Sequence, residues 1–157
     1  MKILVISDSH GNKDAILRSV AHESPHLILH LGDHDRDCGS VEWTYPEIPL
    51  RSVRGNCDRS SQGLDIDEFV LGGKRFFMTH GHLYGVKTGI SSIINAASCR
   101  GADVLLFGHT HIAYHDVFEG IAIVNPGSSG MGGKTYAVLE LEGGVVACEI
   151  KKVPKTC

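Results

Sequence analysis

No apolar run in this sequence approaches the roughly 20 residues that a membrane helix requires. The apolar stretch at residues 2–7 gives way at once to Asp8 and His10. It is too short for the apolar segment of a signal peptide and lacks a small-residue cleavage site. Membrane insertion and secretion are therefore not expected, and a cytoplasmic protein is. An excess of positive charge is also missing: 15 Lys and Arg against 18 Asp and Glu leave a formal net charge of −3, and the basic residues are scattered. That balance does not favour extended nucleic-acid binding. Cysteine occurs five times, at Cys38, Cys57, Cys99, Cys148 and Cys157, an odd set with no CxxC spacing. The pattern argues against both a disulfide framework and a zinc knuckle, and reduced thiols are the simplest expectation. No internal repeat, linker or low-complexity tract divides the 157 residues, so one domain over residues 1–157 is expected.

What the chain has in quantity is histidine, ten copies, several beside Asp, Gly or another His. They recur at one kind of place. Residues 2–7 read as a buried strand that ends in Ser-Asp-Ser-His. A helix follows, capped by Asn12, with Ala15, Ile16, Leu17 and Val20 at helical spacing up to Glu23 and Ser24-Pro25 as its stop. Residues 26–31 form the next strand, ending in Gly32-Asp33. A looser stretch over 34–49 contains Pro46 and Pro49 and a short helix near Val41, and a short strand over 50–53 leads to Arg54-Gly55-Asn56-Cys57-Asp58. Residues 64–71 and 74–79 form a hairpin about Gly72-Gly73 whose exit is His80-Gly81-His82. A helix over 88–99, stopped near Gly101, precedes a strand over 104–107 that ends in Gly108-His109-Thr110-His111. The rest alternates as strands at 113–118, 121–124, 135–141 and 145–150, with a loop over 125–134. Strand and helix units first and hairpins last predict a mixed α/β architecture with packed sheets.

Each polar block thus sits just past the carboxyl end of an apolar strand, the edge where ligands gather in α/β sheets. Any one block has an ordinary reading as well: Asp-x-His as a loop or helix cap, Gly-Asn-Cys-Asp as an Asn/Asp turn. Gly-His-Thr-His is more specific, because alternate residues on an extended segment point the same way and address adjacent metals. Five such blocks in this order supply the mixture of imidazole and carboxylate that divalent Mn, Fe, Zn or Ni accepts, and an Asp can bridge two ions with its two oxygens.

The five blocks, Asp8-Ser9-His10, Gly32-Asp33, Gly55-Asn56-Cys57-Asp58, His80-Gly81-His82 and Gly108-His109-Thr110-His111, resemble the signature blocks of the calcineurin-like metallophosphoesterase superfamily. The similarity is greatest to its small bacterial and archaeal phosphodiesterase branch. It runs from Met1 to about Glu149 and includes the Asn125-Pro126-Gly127-Ser128 turn. The resemblance implies a four-layer α/β/β/α sandwich of two mixed sheets flanked by helices. It assigns Asp8, His10 and His111 to a first metal, Asn56, His80 and His109 to a second, and Asp33 as the bridge. It further implies two divalent cations roughly 3.5–4 Å apart, Mn²⁺ foremost with Ni²⁺, Fe²⁺, Zn²⁺ or Mg²⁺ as alternatives. A bridging hydroxide would attack a small or nucleotide-like phosphodiester in line. Cys57 stands where the wider superfamily has a His that assists the leaving group, and a thiol is a weak substitute. The Pro-Arg pair common after the equivalent of Gly127 is absent.

Asp33, Asn56, His82 and Cys57 are the candidates for a direct part in catalysis, His82 either through substrate phosphate or by supporting a neighbouring ligand. His34, Arg36 and Arg59 border the site and read as solvated loop residues or phosphate contacts. Asp58 orients its own turn. His22, His26, His30 and His115 read as structural. Residues 128–135 resemble a P-loop, but the following segment alternates like a strand and offers no helix terminus, so a nucleoside triphosphate site is not expected. The alternatives to a phosphodiesterase acting on a small-molecule phosphoester are a phosphomonoesterase or nucleotidase with the same centre, and a non-catalytic scaffold like a eukaryotic retromer subunit of this fold.

Overall fold

The computed structural model describes residues 1–155, so Cys157 lies outside the described residues. Two five-stranded mixed sheets carry the chain. In the first, β1 (Lys2–Ile6) runs parallel to β2 (Leu27–His30), which runs parallel to β3 (Leu50–Ser52). On the other side β1 pairs antiparallel with β9 (Thr135–Glu142), and β9 with β10 (Val145–Lys152). The second sheet has the order β4 (Ile66–Leu71), β5 (Lys74–Thr79), β6 (Val104–Leu106), β8 (Ile121–Pro126), β7 (Ala113–Phe118). Its central strands β5, β6 and β8 are parallel and its edges antiparallel.

Period-two alternation divides each central strand between two cores. Ile3 and Val5, Leu27 and Leu29, Phe76 and Met78, Val104 and Leu106 face one another between the sheets. Leu4, Ile6 and Ile28 point the other way, onto Ile16 and Val20 of α1 (Lys13–Glu23) and Val41 of α2 (Cys38–Thr44). Phe77 and Leu105 likewise meet Ile93 and Ala97 of α3 (Ser91–Cys99). These strands are apolar on both faces because each is covered on both, which is the predicted α/β/β/α layering. None of the helices among the described residues is long and apolar enough to cross a membrane.

Local signals account for most boundaries. Asn12 caps α1 by accepting the Ala15 N–H at 3.1 Å, and the helix closes at Ser24 in a left-handed conformation before Pro25. α3 begins later than the spacing predicts, at Ser91. Residues 88 and 90 are turn and bend, and upstream of them residues 82–84 form a 3₁₀ turn bracketed by Gly81 and Gly85 with positive φ. β8 extends to Pro126, so Asn125 is a buried strand residue and not the start of a loop. The segment after Lys134 is strand β9, in agreement with its alternation. Cys38, Cys57, Cys99 and Cys148 are free thiols.

Candidate metal centre

The carboxyl ends of β1, β2, β3, β5 and β6 deliver the five polar blocks to one edge, where the two sheets are joined. Gly108, just after β6, lies so close to the end of β1 that a Cβ there would overlap the Ser7 hydroxyl. The Gly108 N–H donates to the His80 carbonyl at 3.0 Å and the Asp8 N–H to the Gly32 carbonyl at 2.9 Å. Blocks distant in sequence are therefore stitched together by backbone.

Asp8, His10, Asp33 and His111 bring one ligand atom each within 4.8 Å of one another, and Asp33, His80 and His109 do the same. Asp33 belongs to both groups through different oxygens: Oδ2 lies 3.8 Å from His10 Nε2, and Oδ1 lies 3.5 Å from His80 Nε2. In the first group His111 Nε2 is 3.1 Å from Asp8 Oδ1 and 3.2 Å from His10 Nε2. In the second, His80 Nε2 is 3.2 Å from both His109 Nδ1 and Asn56 Oδ1. His109 and His111 lie in different groups, and the segment is not the extended one the spacing suggests. Both residues have positive φ, 68° and 60°, so alternate pleating is not what separates them. Asp8, His10, Asp33 and His34 share this left-handed conformation. Each such non-glycine residue costs about 1–3 kcal/mol, a strain concentrated at the polar blocks.

The surroundings fix the donor set. His80 Nδ1 donates to the Leu31 carbonyl at 2.7 Å, which leaves the lone pair on Nε2, facing the cluster. Asp8 Oδ2 accepts from the Ser7 hydroxyl and from the His109 N–H, whereas its Oδ1, although close to His111 Nε2, is buried without a hydrogen-bond partner. Burial raises the Asp8 carboxyl to about 6 against those two hydrogen bonds. Burial acts the same way on Asp33, but the Cys57 N–H, 2.9 Å from Oδ1, and the neighbouring His80 and His10 outweigh it and hold that group low. Burial pushes the His80 imidazole down to about 4, and His109 and His111 are lowered by burial and then by the charge of Lys87. Imidazoles, two carboxylates, a buried carboxylate oxygen without a hydrogen-bond partner and ring nitrogens facing each other form an acceptor-rich cavity. Such a set fits divalent cations.

Several residues that build this site are not among the expected ligands. Asp58 accepts the backbone N–H groups of His34 (2.7 Å), Asp35 (3.1 Å) and Gly55 (2.8 Å), so it ties the Asn56 turn to the segment after Asp33 as well as orienting its own turn. His30, fully buried, accepts the Gly32 N–H at 3.2 Å, which leaves its Nε2 to donate to Ser9 Oγ at 3.2 Å; Ser9 donates to Asp37 at 2.7 Å. Asn125 donates to the Gly108 carbonyl and to Thr110 Oγ1, both at 3.0 Å, and Ser128 donates to the Asp8 carbonyl at 2.8 Å. The Asn125-Pro126-Gly127-Ser128 turn therefore clamps the first and last blocks.

Of the substrate-side candidates, Cys57 is exposed and its thiol is raised, by burial and then by Asp33. His82 lies beside the second group, its ring centre 5.4 Å from that of His80 and its Nδ1 buried without a partner. His34 is half-buried, its ring 5.4 Å from that of His10 and its Nδ1 also unpartnered, so it is not a solvated loop residue. Arg36 and Arg59 are exposed.

Comparison with known proteins agrees with this geometry. Residues 1–144 match the model of the calcineurin-like phosphoesterase superfamily domain. The chain is 37% identical over 150 residues to the probable metallophosphoesterase YsnB of Bacillus subtilis (strain 168), covering 90% of this chain and 85% of that protein. It is 29% identical over 152 residues to the phosphodiesterase YfcE of Escherichia coli (strain K12), covering 82% and 79%. Its fold is similar to the crystal structure of a predicted phosphoesterase from Streptococcus pneumoniae TIGR4, with a TM-score of 0.79, 23% identity and coverage of 96% and 88%. From its first strand to the β9–β10 hairpin, the chain belongs to the calcineurin-like phosphoesterase superfamily.

Proposed function

We propose that the protein is a divalent-metal-dependent phosphodiesterase acting on a small or nucleotide-like phosphodiester. The observation that carries this reading is the placement of the two Asp33 oxygens, one toward His10 and the other toward His80. Asp8, His10 and His111 would hold one cation, Asn56, His80 and His109 a second, with Asp33 shared; Mn²⁺ is the first candidate for both. Bound cations would supply Lewis acidity toward the phosphoryl oxygens and lower the pKa of the attacking water. The residues do the rest. Leu31 holds the His80 tautomer, Ser7 and the His109 amide orient Asp8, and the Cys57 amide orients Asp33. The raised Cys57 thiol is a poor proton donor to a departing alkoxide, which favours diesters with good leaving groups. The absence of an apolar span suits a cytoplasmic enzyme.

The test is metal analysis joined to kinetics. Metal-stripped protein given Mn²⁺ should bind two ions per chain and hydrolyse bis(4-nitrophenyl) phosphate faster than 4-nitrophenyl phosphate. Asp33→Asn should lower both occupancy and rate, the rate by more than about 100-fold. A preference for the monoester would make the enzyme a phosphomonoesterase. A chain that binds no metal and is indifferent to Asp33→Asn would be a scaffold.

A further inference from the structure

Beside the centre lies a groove of about 360 Å³ with an apolar floor of Val86, Ile90 and Phe107 and a rim that includes Ile112 and Tyr114. Two contacts make it continuous with the metal-site blocks. Thr110, which lines the groove, stands between His109 and His111. Gly81, between His80 and His82, backs onto the floor so closely that a Cβ there would sit 3.0 Å from Val86 and 3.6 Å from Phe107. Lys87 lies at the same groove, and its charge reaches both His109 and His111. Ile112 is 71% exposed, a large aliphatic side chain held in water at the mouth of a polar site.

This is the composition of a small-molecule subsite: mostly apolar walls, a few polar groups, and a volume near the lower end of the roughly 300–1,000 Å³ such sites span. The other hollow bordering the centre, about 220 Å³, carries Asp35 and Asp58 and no aliphatic side chain. It offers an organic substituent no aliphatic surface to bury against, and its one arginine, Arg36, stands beside those two carboxylates. A flat ring laid over Val86 and Phe107 would remove Ile112 and Tyr114 from water while its phosphate stayed over the centre, next to the cationic Lys87.

We propose that this groove receives the aromatic substituent, a nucleobase or aryl ring, of a phosphodiester whose phosphate lies over the Asp33 cluster, with Lys87 answering the negative charge. Ile112 and Tyr114 are then specificity determinants, and the proposal rests on the phosphodiesterase reading above. Phenylphosphonate and methylphosphonate share a headgroup and differ only in the group the groove would hold. In calorimetry with Mn²⁺-loaded protein the phenyl compound should bind about tenfold tighter, the worth of roughly 55 Å² of apolar surface removed from water. With diamagnetic Zn²⁺ in place of Mn²⁺, it should also shift the methyl NMR resonances of Val86, Ile90 and Ile112, which methylphosphonate should leave in place. The double variant Ile112→Asn, Tyr114→Ser, with thermal unfolding as the check on its fold, should lose the preference and keep its affinity for methylphosphonate. Equal affinities in the wild type, or a preference that survives the double variant, would overturn the groove alone. If neither phosphonate binds the wild type, the phosphodiesterase reading fails and the groove falls with it.

Discussion

His80 and Leu31 are 49 positions apart, yet the imidazole Nδ1 lies 2.7 Å from the Leu31 carbonyl oxygen. One hydrogen bond between the two sheets decides which ring nitrogen faces Asp33. The same logic, remote backbone fixing a local lone pair, governs Asp8 and Asp33, and it makes the centre sensitive to substitutions that touch no proposed ligand.

Gly55 is the sharpest case. A Cβ there would overlap both Oδ1 and the backbone nitrogen of Asp33. Gly55→Ala should displace Asp33, reduce metal occupancy below two ions per chain, and lower activity by at least about tenfold. Gly133→Ala, with nothing within 4 Å of its Cβ, should leave occupancy and rate unchanged. Metal analysis on both variants checks this.

Metal binding should weaken in acid. Burial raises Asp8 to about 6 in the metal-free chain, so below that pH a proton must leave before a cation enters, and apparent affinity should fall about tenfold per pH unit. The sign for stability is opposite. A raised folded value means that ionised Asp8 destabilises the metal-free fold as pH rises through about 6. Added Mn²⁺ should therefore raise the Tm more at pH 7.5 than at pH 5.

His30 sets a second pH dependence. Burial lowers it from 6.5 to about 4, so the unfolded chain binds more protons below pH 6.5, and stability is lost as pH falls through that window. The loss between pH 7.5 and pH 5 should be about 2 kcal/mol from this residue. His30→Asn should be less stable at pH 7.5 and should show a correspondingly smaller drop, because Asp8 and His80 titrate alike in both proteins. Urea unfolding at the two pH values measures the difference.

Cys57→His should restore a proton donor on the leaving-group side. The ratio of monoester to diester hydrolysis should rise about tenfold or more. A ratio that does not move would mean that Cys57 faces no leaving group.

Much of the fold was legible because the central strands are covered on both faces and read as continuous apolar runs bounded by turns. The boundaries that slipped are those where packing overrode spacing. Residues 88–90 have helical spacing, yet Gly85 and Gly89 with positive φ hold the chain out of α3 until Ser91. Asn125 looks like a loop residue, yet its side chain is consumed by Gly108 and Thr110 and it lies within β8. The left-handed backbone at Asp8, His10, Asp33, His109 and His111 has only a weak local signal, because none of these is glycine, although Asp and His are enriched among the other residues that adopt it.

By itself the sequence determined which chemistry was on offer: carboxylate and imidazole placed after apolar strands at five points, with a thiol at Cys57 in place of an imidazole. Only the tertiary structure decided how those donors are divided. Asp33 faces two groups because β2 lies between β1 and β3 while the Leu31 carbonyl reaches across to His80 of the second sheet. The groove beside Thr110 exists because Gly81 lets Val86 and Phe107 pack against the His80 turn. Composition and period report what a residue can do alone, whereas donor direction, pKa and pocket shape arise from neighbours that are dozens of positions away.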